Sequence, residues 1–253
     1  MNPHRTLLID AGNSRIKWAW LDSEGLRETG SCLHTEDAFF HPTDSIWAQV
    51  ARPARIIASN VAGARFAEKL TAHAQQHWQL RPEFITPIAA AFGITNAYSE
   101  PGRLGADRWA ALIAAYHSNP GACCVVDCGT AITIDALCAE GKHLGGLILP
   151  GLTMMRSALS SNTQGLANTI DEPTANLAPF ARDTAAAITS GGLYAVVAAI
   201  DRIVAEQCAA VKFNTLIITG GDAARIQPLL SAEYHYEPNL VLHGLAIIAR
   251  EQS

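Results

Sequence analysis

Residues 7–17 read LLIDAGNSRIK, and residues 125–135 read VVDCGTAITID. Each stretch is an aliphatic run, then Asp-x-Gly, then Asn or Thr, then a small residue and a return to apolar positions. An unbroken aliphatic run suits a strand buried on both faces. Glycine after aspartate suits a tight turn whose backbone N–H groups point outward. A strand–turn–strand with amides and a carboxylate at its tip suits a nucleotide phosphate and its metal ion. Two copies facing each other would grip a triphosphate from both sides. The duplication therefore predicts a two-lobed, ATP-using α/β chain.

Composition narrows the classes. The chain has 253 residues, 49% hydrophobic and 16% charged, with a net charge of −5. That is too apolar for disorder. No basic block appears, so nucleic acid is not an expected partner. Apolar runs are broken by charges or Gly, and none is expected to reach the ~20 residues of a membrane span. The start, MNPHRTLLIDAGNS, reads as a first strand rather than a signal peptide. The six cysteines are Cys32, Cys123, Cys124, Cys128, Cys138 and Cys208, with no C-x-x-C pair. They are read as thiols acting as small hydrophobes in a reducing cytosol. The nine histidines are read as scattered, without zinc-type pairing; His117, His143 and His243 are taken as packing or surface residues.

Periodicity places the elements. A hairpin is expected at 5–11 and 15–22, a strand at 55–61 and a helix over 63–78, where Phe66, Leu70 and Ala74 recur at helical spacing. A short strand at 83–86 and a loop over 91–105 follow. A helix from Asp107 stops at Asn119-Pro120-Gly121, which divides the chain into an N-terminal lobe, 1–118, and a C-terminal lobe, 119–253. The second lobe repeats the plan: strands near 123–128, 131–138 and 143–149, a helix at 153–160, a polar connection over 161–182, and a long Ala-rich helix to Cys208. Gly191-Gly192 inside that helix costs roughly 1 kcal/mol per Gly against Ala, so close packing against a partner helix or a ligand is expected there. A strand at 215–219, a helix at 222–231 and a last helix at 240–251 complete the chain.

Four constellations could carry chemistry. Asp10, the Gly12–Ser14 turn and Lys17 supply a carboxylate, amides and a cation within eight residues. Phosphoryl transfer needs those three components. Asp127 and Thr130 offer a carboxylate and a hydroxyl in the second copy; a turn whose Thr caps its own backbone is the plain alternative. Gly105-Ala106-Asp107-Arg108 opens an apolar helix. Asp107 there is either a helix cap or a general base beside a cation for an anionic substrate, and the residues alone favour the cap. Thr219-Gly220-Gly221-Asp222 is either a nucleotide-facing turn or an ordinary connector. Walker-type and Gly-x-Gly-x-x-Gly loops are absent from the sequence.

Taken together, these motifs resemble the type III pantothenate kinases of the acetate and sugar kinase/Hsp70/actin superfamily. Asp-x-Gly-Asn-Ser-x-x-Lys stands at 10–17, Gly-x-Asp-Arg at 105–108 and Asp-x-Gly-Thr-Ala-x-Thr-x-Asp at 127–135. Gly-Gly-x-Ile-x-Pro-Gly stands at 145–151, Thr-x-x-Ala-x-x-x-Gly from Thr184, and strand–Thr-Gly-Gly–helix at 217–225. Ser14 replaces the commoner Thr and keeps its hydroxyl; 22–52 matches poorly and is expected to be variable surface. The resemblance implies a two-lobed actin-like ATPase (ribonuclease H-like) fold, a duplicated mixed β-sheet with flanking helices. It implies ATP-dependent phosphorylation of pantothenate to 4'-phosphopantothenate, the first step toward coenzyme A. Asp10, Ala11, Gly12, Asn13, Ser14, Arg15, Ile16, Lys17 and Thr130 would bind ATP, with Asp10 near Mg2+. Asp107 would be the base. Tyr98, Gly105, Ala106, Asp107, Arg108 and Thr184 would hold pantothenate. Asp127 would match a monovalent cation site, K+ or NH4+. The resemblance further implies a cytoplasmic homodimer with neither nucleic acid nor membrane as partner. A related small-molecule kinase, a non-catalytic accessory or regulatory protein keeping the fold, and an actin-like filament module are the rivals.

Overall fold

The computed structural model describes residues 5–34, 52–163, 180–211, 213 and 215–252. Most of the 22–52 stretch, and the middle of the expected 161–182 connection, lie outside the described residues. Two compact units divide the chain. The first runs to Pro120 and also takes Gly141–His143 and the residues from Asn239 onward. The second takes Gly121–Glu140 and Leu144–Pro238.

In the first unit, β1 (Thr6–Ala11) forms an antiparallel pair with β2 (Arg15–Asp22), which pairs with β3 (Gly25–Leu33). On its other edge β1 runs parallel to β4 (Arg55–Asn60), which pairs parallel with β5 (Glu83–Phe84). The sheet order is β3-β2-β1-β4-β5. Leu7, Leu8 and Ile9 are fully buried, as a central strand covered on both faces requires. α1 (Ala64–Trp78) lays Phe66, Leu70, Ala74 and Trp78 against Leu7, Ile9, Trp18 and Ile56. This four-residue spacing is one stripe of a helix. A hairpin of β6 (Ala90–Ala91) and β7 (Ile94–Thr95) precedes α2 (Ala106–Ser118).

The second unit repeats this order with new residues. β8 (Cys123–Cys128) pairs antiparallel with β9 (Ala131–Leu137), and β10 (His143–Pro150) is the edge beyond β9. β11 (Thr215–Thr219) runs parallel to β8, and β12 (His235–Tyr236) parallel to β11. The order β10-β9-β8-β11-β12 is that of the first sheet, strand for strand. After β10 come α3 (Leu152–Asn162) and α4 (Thr184–Val211); after β11 comes α5 (Ala223–Ile226). Leu193, Val196, Val197, Ile200 and Val204 of α4 bury against Val126, Ile132, Ile134 and Ile218.

One expectation changes. Thr184–Glu206 of α4, 23 residues containing an 18-residue window of mean hydropathy 1.4, is long and apolar enough to cross a membrane by length and composition. Its buried side serves as the core of the second unit. At Gly191-Gly192 the described residues leave room for a partner: a Cβ at Gly191 would meet nothing within 4 Å, and one at Gly192 only the Met155 sulfur at 3.7 Å.

The last helix, α6 (Leu240–Glu251), returns to the first unit and packs on α2, β1 and β4. The axes approach closely enough that a Cβ on Gly244 would lie 1.9 Å from the Ala110 carbonyl oxygen. Small residues are what allow two helices to come this near.

Candidate active site

In the first unit, Asp10 sits near the end of β1, in register with Lys17 across the antiparallel pair and with Ser59 on the parallel side. Directly opposed residues in such a pair hold their Cβ atoms roughly 4.5–5.5 Å apart, so the carboxylate and the ammonium share one neighbourhood. The Asp10 Oδ1 atom is shielded from solvent. The turn is closed by the Gly12 N–H donating to the Arg15 carbonyl at 3.0 Å. Asn13, Ser14 and Arg15 at its tip are exposed, whereas Ala11 and Ile16 are buried and fix its base. His34, a residue the sequence did not single out, pins this turn twice. Its backbone N–H donates to the Ser14 carbonyl at 2.9 Å, and its Nδ1 lies 2.9 Å from the Gly12 carbonyl, which requires a proton on Nδ1.

The acceptor motif is the second cluster of the same unit. Asp107 is the second residue of α2, whose cap position is Gly105, and its Oδ1 accepts the Arg108 N–H at 2.8 Å. It therefore does not occupy the helix-cap position that the plain reading gave it, although a carboxylate in a first turn still gains from the helix dipole. A Cβ on Gly105 would stand 2.4 Å from Asp107 Oδ1, so any side chain there would displace this carboxylate. Arg108, only 7% exposed, donates from Nη1 to the Tyr98 hydroxyl at 2.8 Å, and its guanidinium carbon lies 5.6 Å from the centre of that ring. Tyr98, Gly105, Ala106, Asp107 and Arg108 are thus brought together.

In the second unit, Asp127 pairs with Thr133 on one side and Thr219 on the other. Gly220, with φ of +97°, folds the β11 turn onto this point: a Cβ would lie 2.5 Å from Asp127 Oδ1 and from the Cys128 backbone. The Asp222 N–H donates to the Cys128 carbonyl at 2.9 Å, and the Gly151 N–H to the Thr130 carbonyl at 3.0 Å. The Asp127–Thr130 turn, the start of α3 and the Thr219–Asp222 turn therefore meet at one end of the sheet. The eleven-residue α3 points its N-terminus there, the end of a helix that favours an anion. Cys128 at the base is buried, and burial beside the Asp127 and Asp222 carboxylates pushes its thiol up to about 12. Burial alone carries Cys123 to about 11. Thiols held so firmly protonated act as packing groups. Thr184 lies at the exposed start of α4, after Asp183, whose Oδ1 accepts the Ala186 N–H at 2.8 Å as a helix cap.

The histidines need one correction. His73 and His77 stand four apart on α1 with ring centres 4.4 Å apart, the helical pairing expected to be absent from this sequence. The rings lie in contact at a 32° tilt and the His73 Nε2 is enclosed, an arrangement for packing rather than for chelation. No group of three or more metal-ligating side chains occurs among the described residues.

A family model described as type III pantothenate kinase matches residues 6–206. A type III pantothenate kinase of Nitrosococcus oceani is 44% identical over 253 residues, covering 98% of this chain and 94% of the relative. Among solved structures, a Baf-family protein from Campylobacter jejuni aligns over 97% of this chain and 98% of its own with a TM-score of 0.60 and 24% identity. MreB 5 of Spiroplasma citri, bound to AMPPNP, aligns over 100% and 98% with a TM-score of 0.52 and 10% identity. These two carry the fold alone, the actin-like ATPase fold of mixed sheets with flanking helices. With a family model over most of its length and a relative this similar from end to end, the chain belongs to the type III pantothenate kinase family.

Proposed function

We propose that the Asp10–Lys17 turn of the first unit and the Asp127–Thr130 turn of the second hold one ATP, and that its γ-phosphoryl passes to the primary hydroxyl of pantothenate. The product is 4'-phosphopantothenate, the first intermediate on the way to coenzyme A. The observation that carries this reading is the acceptor cluster. Arg108, nearly buried and braced by Tyr98, offers a fixed cation to the carboxylate of an anionic acceptor, one residue from the Asp107 carboxylate. Asp107 takes the hydroxyl proton as the oxygen attacks. Lys17 and the amides of the Gly12–Arg15 turn spread charge on the phosphates, and Thr130 with the N-terminus of α3 does the same from the second unit. Such transfer asks for position and charge compensation rather than covalent work.

The residues fit a Mg2+ ion delivered with the nucleotide. Such an ion is held by one or two carboxylates plus substrate phosphates, so Asp10 with its shielded oxygen suffices without a protein cage. Bound there, Mg2+ neutralises phosphate charge. Asp127 with the carbonyls of its turn offers the oxygen ligands a K+ or NH4+ ion takes. Activity then depends on that ion, with turnover in K+ buffer and little in Na+ buffer.

The working form is a cytoplasmic homodimer. Leu147 and Ile148 on edge strand β10, Met154 on α3 and Tyr194 on α4 are exposed large apolar residues of the second unit, and Gly191, Ala195 and Ala198 give α4 an exposed face of small residues. An apolar edge strand left open invites pairing. Light scattering coupled to gel filtration tests this: twice the chain mass is expected, and a single-chain mass rejects it.

The enzymatic reading is tested by ATP consumption and phosphopantothenate formation with and without pantothenate, in the wild type and in Asp107→Asn. Pantothenate-dependent turnover is expected, with a fall of about 10²–10⁴-fold in the variant at unchanged ATP binding. Full activity in a folded Asp107→Asn protein refutes the role given to Asp107. Turnover on other hydroxyl compounds but not on pantothenate favours a related kinase.

A further inference from the structure

We infer that His143 is a positioning residue for the acceptor site, reaching it from a part of the chain that carries none of the acceptor motif. This rests on the reading of Tyr98 and Arg108 as pantothenate-binding residues. His143 is fully buried, at 0% exposure, and belongs with Gly141 and Lys142 to the first unit although the sequence around it builds the second. The three residues run alongside the acceptor loop. The Thr95 N–H donates to the Gly141 carbonyl at 2.9 Å, Thr95 bridges to Lys142 in parallel, and the Ala97 N–H donates to His143 Nδ1 at 3.4 Å. The His143 ring then stacks on Tyr98, with centres 6.2 Å apart and planes within 14°. The approach is close enough that Gly141, at φ of +78°, has no room for a Cβ, which would stand 2.2 Å from the Gly93 carbonyl oxygen.

The chain of support runs from His143 to the substrate-facing atoms. The imidazole fixes Ala97 and the plane of Tyr98. Tyr98 presents its hydroxyl to Arg108 Nη1 at 2.8 Å, and so sets the direction of the guanidinium. Asn96 secures the same turn from within, accepting the Tyr98 N–H at 3.0 Å and donating to the Pro101 carbonyl at 3.2 Å. A Tyr98 free to swing would leave a long arginine without its brace, and orientation is what a bidentate cation offers an anionic group. Because Nδ1 accepts the Ala97 N–H, the ring proton in this arrangement sits on Nε2. An asparagine oxygen replaces that acceptor at nearly the same place, whereas phenylalanine keeps only the ring.

The test is steady-state kinetics on the full-length protein with His143→Phe, His143→Asn and Tyr98→Phe, together with amide hydrogen exchange over 95–98. In His143→Phe the pantothenate KM is expected to rise about tenfold as Tyr98 and Ala97 lose their support, with the ATP KM within about twofold. Exchange at 95–98 speeds up, and His143→Asn restores slow exchange and part of the KM. Equal rises in both KM values, or no change in a folded His143→Phe protein, overturn the proposal. Should the Phe variant not fold, His143→Asn decides. A pantothenate KM raised about threefold at constant ATP KM supports positioning, and unchanged KM values overturn it. Tyr98→Phe separates the two readings. If it leaves the pantothenate KM unchanged, the acceptor site itself is wrong and the His143 role falls with it. If it raises that KM while His143→Phe does not, only the His143 role fails.

Discussion

At the residue scale, the groups proposed to carry chemistry are held by residues far from them in sequence. Asp10, Lys17, Asp107, Arg108 and Asp127 stand inside short motifs whose residue types already state a chemical purpose. His34 and His143 act across 22 and 46 positions of sequence, on Gly12 and Ala97, and nothing near either one announces the partner. Gly220 shows how narrow the fit is around Asp127. Its φ of +97° is a conformation that side chains rarely adopt, and a Cβ would press on Asp127 Oδ1 and the Cys128 backbone at 2.5 Å. Gly220→Ala is expected to weaken ATP binding at least tenfold while leaving the first unit's fold intact, a loss of about 1.4 kcal/mol or more by titration calorimetry. Unchanged affinity in that variant removes the β11 turn from the nucleotide site.

At the element scale, periodicity found what buries a whole stripe or a whole strand. Phe66, Leu70, Ala74 and Trp78 announce α1, and the aliphatic runs announce β1, β4, β8 and β11. β3 escaped because its sequence, GLRETGSCL, lies at a sheet edge with mostly exposed residues and so has no apolar alternation to read. β12 and the β6–β7 hairpin are two-residue strands, below the length at which any period exists. The 222–231 segment is a short α5 followed by a 3-10 turn at Gln227–Leu229 rather than one continuous helix, with Pro228 entering at the break.

Two element-scale predictions follow from packing. Gly244→Ala drives a methyl into the Ala110 carbonyl and must push α6 off α2; a loss of about 3 kcal/mol in urea unfolding is expected. A loss under about 0.5 kcal/mol would mean the helices have slack. The ion pair of Arg55 with Glu83 joins β4 to β5 at 2.6 Å, and Arg55 Nη1 also donates to the Ala249 carbonyl of α6 at 3.1 Å. The Arg55 hydrogen bond holds the Glu83 carboxyl below its ordinary value. A carboxylate whose pKa is depressed by folding stabilises above its ordinary pKa, and that contribution disappears as pH falls through the folded value. Glu83 is half exposed, so Glu83→Gln should cost only about 0.5 kcal/mol at pH 7. The thermal midpoints of variant and wild type should converge as pH falls below the depressed Glu83 value, and a gap that persists through full protonation of the carboxyl contradicts the linkage.

At the scale of the whole molecule, the twofold repetition was readable and the path of the chain was not. Two copies of Asp-x-Gly announced two sheets, and the sheets share one strand order. The turn at Asn119-Pro120-Gly121 stands beside the passage from one unit to the next. That the last helix returns to the first unit, and that Gly141–His143 joins it, depends on contacts between residues more than a hundred positions apart or between a hairpin tip and a distant loop. Periodicity carries no such information. The proposal that both turns serve one nucleotide also belongs to this scale. Its most direct test is a crystal structure with a non-hydrolysable ATP analogue, Mg2+ and pantothenate. The expected result is one polyphosphate touching both the Asp10–Lys17 turn and Thr130, with the pantothenate hydroxyl at hydrogen-bond distance from Asp107. A nucleotide held by one unit alone, or an acceptor hydroxyl far from Asp107, contradicts the account.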